Sequence, residues 1–171
     1  MKTGMMLVTL AALVTLPVSG QERSAVATLV DSAGTRLGEA RLTETPSEGV
    51  HIELHVEGIP PGVYGFHIHE TGSCSPDFEA AGDHFAPEGK AHGPMHEQGR
   101  HAGDLLNLHV KEPGEAASEW LADRVTLEPG APGTLLDADG SALVIHTAAD
   151  DYVTQPSGDA GSRLACGVID G

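Results

Sequence analysis

Basic residues are scarce in this 171-residue sequence. Nine lysines and arginines are set against 25 aspartates and glutamates, which gives a formal net charge of −16 at pH 7. Proteins that bind phosphate groups cluster lysine and arginine side chains on one surface. The balance of charge therefore argues against nucleic acid and anionic lipid as partners.

Long apolar runs are absent beyond the amino terminus, so we expect no membrane span, which takes about 20 apolar residues. Near the start, Lys2 is followed by an apolar run over residues 5–18 and then by Ser19 and Gly20. This is the layout of a secretory signal peptide. We expect residues 1–20 to be removed on export to the periplasm or the extracellular space; an uncleaved amphipathic anchor is the alternative.

Cysteine occurs only twice, at Cys74 and Cys166. In an exported protein an isolated pair is most simply a disulfide, here between positions 92 apart (166 minus 74). Residues 21–171 are enough for a single domain with its own core. Removal of Lys2 with the leader changes the formal charge from −16 for the full sequence to −17 for that domain.

A convincing helical period is also absent. Short alternating segments rich in β-branched residues are instead separated by Gly, Pro and Asp, as in "GVHIELHVEG", where apolar and polar residues alternate. Eight such segments predict an all-β antiparallel sandwich or barrel. They cover residues 24–30, 36–44, 49–58, 62–70, 102–110, 118–127, 141–147 and 163–169.

Two stretches interrupt this succession of strands and turns, residues 70–100 and residues 147–162. Long loops without secondary structure in a compact domain are usually functional or disordered. Both stretches adjoin predicted strands that carry a histidine just before their last residue, which favours function.

Histidines are concentrated around the first loop: six of the ten lie within 35 residues. Because residues i and i+2 of a strand share a face, His67 and His69 can bind one ion while Phe66 and Ile68 face a core. Further candidate ligands are His84, His92, His101, Asp104 and His146. Imidazole-rich sites suit copper and zinc, and zinc also accepts a carboxylate.

Other histidines have a simpler explanation. His51 and His55 alternate in the same way beside glutamates, which is typical of a solvated strand face, and His109 is also expected at the surface. His96 lies between two candidate ligands. We expect it at the surface, with a role as an alternative ligand or metal-entry site left open.

Five motifs together resemble the secreted bacterial copper/zinc superoxide dismutases across essentially the whole mature chain: "GFHIHE", "GDHFAP…AHG", "HAGDLLNL", "VIHTAADD" and "GSRLACGVI". The resemblance implies an eight-stranded antiparallel Greek-key β-barrel, a flattened sandwich with two long functional loops. It also implies one copper and one zinc ion per chain and the conversion of superoxide to oxygen and hydrogen peroxide.

The same resemblance assigns roles to individual residues. Copper would be held by His67, His69, His84 and His146, and zinc by His84, His92, His101 and Asp104. His84 would bridge the two ions and carry a proton to the product. Asp150 would hydrogen-bond the rings of His67 and His92, and Arg163 would attract and orient the anion. Cys74 and Cys166 match the intrasubunit disulfide of the family.

One departure from the family concerns the loop before Arg163. Residues 147–162 contain no lysine or arginine but include Asp150, Asp151 and Asp159. Attraction of the anion would then depend mostly on Arg163 and the metals.

The sequence leaves alternatives open for the function, the oligomeric state and the role of Trp120. A non-enzymatic copper/zinc-binding protein, a metal buffer or chaperone on the same barrel, is the main rival to the enzyme. A structural sandwich with surface histidines leaves the order of the ligand residues unexplained, and retention of His92, His101 and Asp104 disfavours a copper-only relative. The sequence leaves open a homodimer or a monomer, and a core or contact role for Trp120.

Overall fold

The computed structural model describes residues 23–47 and 49–171. The predicted signal peptide, residues 1–20, lies outside these described residues. Within them the chain forms one short 3-10 helix, Phe78–Ala81, and nine strand segments. The strands are β1 (Ser24–Asp31), β2 (Arg36–Glu44), β3 (Val50–Glu57), β4 (Gly62–Tyr64), β5 (Phe66–His69), β6 (Leu108–Val110), β7 (Glu115–Ala122), β8 (Ala142–His146) and β9 (Arg163–Asp170).

The strands form an antiparallel Greek-key arrangement. Seven of them make one curled sheet in the order β5-β8-β9-β1-β2-β3-β7, and β4 pairs with β6 in a second sheet. Neighbours that are distant in sequence, such as β9 beside β1 and β7 beside β3, are the mark of Greek-key connections. The all-β prediction is confirmed, and both predicted loops lie outside the strands.

The predicted strand over residues 62–70 is wrong in one respect, because it is two strands that meet at Gly65. β4 pairs with β6, whereas β5 pairs with β8. The Gly65 amide donates to the Ala148 carbonyl at 2.7 Å, and a Cβ at Gly65 would lie 2.9 Å from the Ala160 Cβ. The glycine therefore lets the loop of residues 147–162 approach the start of β5. With β4 and β5 counted together, the strands number eight, as predicted.

Two other predicted strands have the wrong bounds. Within the predicted segment 102–110, only β6 (Leu108–Val110) is a strand. The residues before it turn toward the candidate metal ligands. The segment 118–127 is replaced by β7, which pairs with β3 along its whole length, from Glu57 opposite Glu115 to Val50 opposite Ala122. Beyond β7 the chain follows the end of the barrel, where the amide of Leu127 donates to a Glu44 carboxylate oxygen at 2.5 Å.

The core follows the predicted alternation of side chains. On β3 the apolar residues are buried, while His51 is half-buried and His55 is exposed. His109 is exposed as well, so the surface predictions for these histidines are confirmed. Trp120 is a core residue: its ring lies 4.7 Å from that of Phe66, and its Nε1 donates to the Leu106 carbonyl at 2.8 Å.

A disulfide joins Cys74 to Cys166, with Cα atoms 5.9 Å apart and a sequence separation of 92. It ties the loop of residues 70–100 to β9. Around it lies a second apolar cluster, separate from the main core, that includes Phe78 of the 3-10 helix and Val144 of β8. The predicted pairing of the cysteines is present.

Replacement of both Cys74 and Cys166 by serine is expected to lower the free energy of unfolding by about 4 to 5 kcal/mol, because the unfolded chain regains the entropy of an open loop of this length. Urea denaturation of the metal-free protein measures the change. Wild-type protein under reducing conditions should lose this amount too, and any further loss in the double variant reports the serine hydroxyl at the buried position 166. A double variant as stable as the oxidised wild type would contradict the expectation.

Among the described residues, none of the helical segments has the length and apolar character that crossing a membrane requires.

Candidate metal centre

The predicted ligands come together as two groups that share one residue. In each group the candidate ligand atoms all lie within 4.8 Å of one another. The first group is His67, His69, His84 and His146; the second is His84, His92, His101 and Asp104. His84 belongs to both, so the structure brings together all seven residues singled out by the sequence.

The backbone around β5 explains this convergence. β5 is an edge strand of the large sheet, and its free edge is covered by the long loop. Ile68 donates to the Gly103 carbonyl and accepts from the Phe85 amide, each at 2.9 Å. A Cβ at Gly103 would lie only 2.3 Å from the Ile68 carbonyl oxygen, so a glycine is needed for this approach. The residues next to these bonds, His84 and Asp104, are thereby placed beside β5.

The first group presents ring nitrogens with unused lone pairs. His69 Nδ1 donates to the Gly82 carbonyl at 2.9 Å, and His146 Nδ1 lies 3.4 Å from the Gly161 carbonyl. The Nε2 atoms of these two rings, which then carry lone pairs, lie 3.3 Å apart. Two such lone pairs repel each other unless a cation lies between them.

Two further nitrogens of this group, His67 Nδ1 and His84 Nε2, are buried without a hydrogen-bond partner in the described part of the chain. An unsatisfied buried polar group costs roughly 1 to 3 kcal/mol. Burial lowers the pKa of His69 to about 2, that of His146 to about 3 and that of His84 to about 4, so these rings are neutral at pH 7. Four neutral imidazoles facing one point fit a copper ion.

The second group is built around one carboxylate oxygen. Asp104 Oδ1 lies 2.9 Å from His84 Nδ1, 3.0 Å from His92 Nδ1 and 3.2 Å from His101 Nδ1. Asp104 Oδ2 accepts from the backbone amides of Gly93 and His101, at 2.8 and 3.0 Å, which fixes the carboxylate plane. Three imidazoles and one carboxylate are a ligand set that zinc accepts.

Asp150 connects the two groups. Its Oδ2 accepts from His67 Nε2 at 2.9 Å, and its Oδ1 accepts from His92 Nε2 at 3.0 Å. Burial lowers the pKa of His92, but the hydrogen bonds that its ring donates to Asp104 and Asp150 outweigh burial and raise that pKa to about 9. The surroundings of His92 Nδ1 therefore favour a positive charge, which a proton or a metal ion can supply.

Asp150 is itself held by residues that sequence reasoning did not assign. Its amide donates to Asn107 Oδ1 and its carbonyl accepts from Asn107 Nδ2, both at 2.9 Å. The Tyr152 amide donates to Asp150 Oδ1 at 2.6 Å. The only feature of the sequence that could have indicated this role was the polar side chain of Asn107 within an otherwise apolar segment.

His96 belongs to neither ligand group within the described ranges; its Nδ1 accepts from the Gln98 amide at 3.2 Å.

Arg163 lies at the start of β9 beside the first group. Its guanidinium donates to the Phe78 carbonyl at 2.5 Å and to the Gly82 carbonyl at 2.6 Å, and it lies 3.4 Å from a Glu79 carboxylate oxygen. With three histidines of the first group, it lines a cavity of about 410 Å³, whose rim also carries Glu70 and Asp83.

A larger cavity, about 580 Å³, lies around His55 on the outer face of β2, β3 and β7 and contains none of the predicted ligands. The smaller cavity, which the predicted ligands line, is therefore the candidate functional site.

Comparison with known proteins agrees with this centre. The family model "Copper/zinc superoxide dismutase (SODC)" matches residues 36–169. A copper/zinc superoxide dismutase of Aquifex aeolicus is 44% identical over 151 residues, which cover 87% of this chain and 88% of that protein.

The crystal structure of a superoxide dismutase-like protein from Bacillus subtilis superposes with a TM-score of 0.81 at 42% identity, covering 84% of this chain and 96% of that one. A copper chaperone for superoxide dismutase from Rattus norvegicus is more distant, 32% identical, and the match covers 85% of this chain and 52% of that protein. The chain belongs to the copper/zinc superoxide dismutase family.

Proposed function

We propose that the protein is an exported superoxide dismutase that holds one copper and one zinc ion per chain. The observation that carries the proposal is His84, whose unpartnered Nε2 faces the first group while its Nδ1 faces Asp104 in the second. Copper would be bound by His67, His69, His84 and His146. Zinc would be bound by His84, His92, His101 and Asp104.

The reaction converts two superoxide anions and two protons into one molecule of oxygen and one of hydrogen peroxide. Copper would supply the one-electron redox cycle, while zinc has no accessible redox change. The protein must then supply three things: a path for a small anion, an orientation for that anion, and a proton at the right place.

Arg163 is the residue we assign to binding and orienting the anion. Its guanidinium is fixed by two carbonyls, so its position does not depend on the substrate. The rim carboxylates of Glu70, Glu79 and Asp83 oppose the approach of an anion, and the loop before Arg163 adds no positive charge. In a narrow cleft a few positive groups can still outweigh the charge of the whole protein, because low-dielectric walls focus the field.

His84 is the residue we assign to proton transfer. Its Nε2 is buried beside the first group without a hydrogen-bond partner, and His84 lines the same cavity as Arg163. Asp104 holds the opposite nitrogen at 2.9 Å, which keeps Nε2 directed at the site of reaction.

Export is part of the same proposal. Residues 1–20 would be removed as a signal peptide and residues 21–171 would form the single mature domain, in the periplasm or outside the cell. The Cys74–Cys166 disulfide supports this, since such bonds persist mainly in oxidising compartments. The mature protein would act as a monomer or a homodimer.

A second candidate is a copper/zinc buffer or chaperone without catalysis, which the more distant chaperone relative suggests. Against it stand the complete ligand groups and the position of Arg163 at the cavity.

The test is metal analysis of the purified mature protein together with the rate of superoxide decay after rapid mixing. We expect close to one copper and one zinc per chain and decay proportional to the copper-loaded protein. A fully metal-loaded protein that leaves superoxide decay unchanged would overturn the dismutase proposal and favour the buffer.

A further inference from the structure

A side chain from the loop of residues 147–162 makes two hydrogen bonds with the backbone of His92. The His92 amide donates to Gln155 Oε1, and Gln155 Nε2 donates to the His92 carbonyl, both at 2.9 Å. His92 lies outside the strands, so this side-chain amide makes the pair of hydrogen bonds that a neighbouring strand would otherwise make.

The turn that carries Gln155 is itself well fixed. Asp151 Oδ1 accepts from the amides of Val153 and Thr154, at 2.9 and 2.8 Å, and the Gly158 amide donates to the Thr154 carbonyl at 2.7 Å. Gln155 Nε2 also donates to the Val153 carbonyl at 3.0 Å. These contacts hold the amide of Gln155 against the backbone of His92.

The two loops are also in close contact on either side of His92. A Cβ at Gly93 would lie 2.0 Å from the Tyr152 carbonyl oxygen, and one at Gly158 would lie 2.6 Å from His92 Nε2. With Asp150 on its Nε2 and Gln155 on its backbone, His92 receives three of its polar contacts from residues 147–162. Its remaining ring nitrogen, Nδ1, points at Asp104.

We propose that Gln155 is a positioning residue for zinc: its amide fixes the backbone of His92 so that Nδ1 stays directed at Asp104, and this slows zinc release. The inference rests on the proposed zinc ligands and goes beyond them, because Gln155 is not itself a member of either ligand group. The effect falls on zinc, since the hydrogen bonds of Gln155 reach His92 and none of the four first-group histidines. Asp150 continues to hold His67 when Gln155 is changed.

The experiment compares the release of zinc and copper from fully loaded protein into a chelator. Gln155→Glu keeps the shape but places a carboxylate oxygen against the His92 carbonyl, and Gln155→Met removes both hydrogen bonds. Loss of contacts that orient a metal ligand typically costs roughly 10- to 100-fold in affinity, so we expect zinc release about tenfold faster in both variants. Copper release and the melting temperature of the metal-free protein should stay unchanged.

Gln98→Glu is the matched control, because Gln98 is an exposed glutamine of the same loop as His92 and the charge change is identical. It should release zinc at the wild-type rate. Wild-type zinc release in both Gln155 variants would overturn the inference. Equal acceleration of both metals with a lower melting temperature would also overturn it, because Gln155 would then only hold the loops together.

His92→Ala separates this inference from the proposed function. If that variant loses zinc while the Gln155 variants keep it, only the role of Gln155 is wrong. If His92→Ala binds zinc as firmly as the wild type, the proposed zinc ligands are wrong and the role of Gln155 is wrong with them.

Discussion

The His146→Ala variant is expected to keep zinc but to lose copper, and with copper the dismutation of superoxide. His146 belongs only to the first ligand group, at the end of β8, where its Nε2 lies 3.3 Å from His69 Nε2. Because changes outside the ligand shell already cost 10- to 100-fold, we expect the loss of a direct ligand to lower the rate by more than about 100-fold. Metal analysis and superoxide decay on the same sample measure both effects.

Two histidine variants serve as controls for this result. His101→Ala changes only the second group and should lose zinc while keeping copper. His55→Ala removes an exposed histidine on the outer face of β3 and should change neither metal nor rate. Full dismutation by His146→Ala would show that the first group is not the site of catalysis.

The Arg163→Gln variant is expected to bind both metals and to dismutate superoxide about tenfold more slowly, with most of its dependence on salt removed. In the described part of the chain, Arg163 is the only lysine or arginine that lines the cavity, against three carboxylates. Loss of this charge leaves little to attract an anion. The second-order rate constant measured over a range of ionic strength tests the expectation.

Arg36→Gln is the matched control, because it removes the same charge from the outer cavity near His55. It should leave the rate and its salt dependence at the wild-type values. If Arg163→Gln behaved in the same way, the role of Arg163 in attracting the anion would be wrong, while the metal sites would stand.

Much of the centre could be predicted because its residues follow local rules. The alternation along β5 places His67 and His69 on one face opposite Phe66 and Ile68, and that face is buried in the structure. The same alternation in β3 leaves His55 exposed, so the alternation by itself does not mark a metal site. The concentration of histidines in the following loop distinguished the two cases.

Other features depend on contacts between distant residues and left no local signal. Nothing in the sequence around Gly65 predicts a break in the strand. The close approach of Ala148 and Ala160 nevertheless divides that strand in two at this residue. Asn107 binds Asp150 across 43 residues, and Gln155 binds His92 across 63. Contacts of this kind appear only once the two long loops are placed in space.

We expect His84 to lie between two different metal ions in the loaded protein. Diffraction from crystals of the metal-loaded protein, recorded at the copper and zinc absorption edges, locates each ion separately. We expect one copper scatterer beside His84 Nε2 and one zinc scatterer beside His84 Nδ1. A single ion in the centre, or two ions on the same side of the His84 ring, would contradict this expectation.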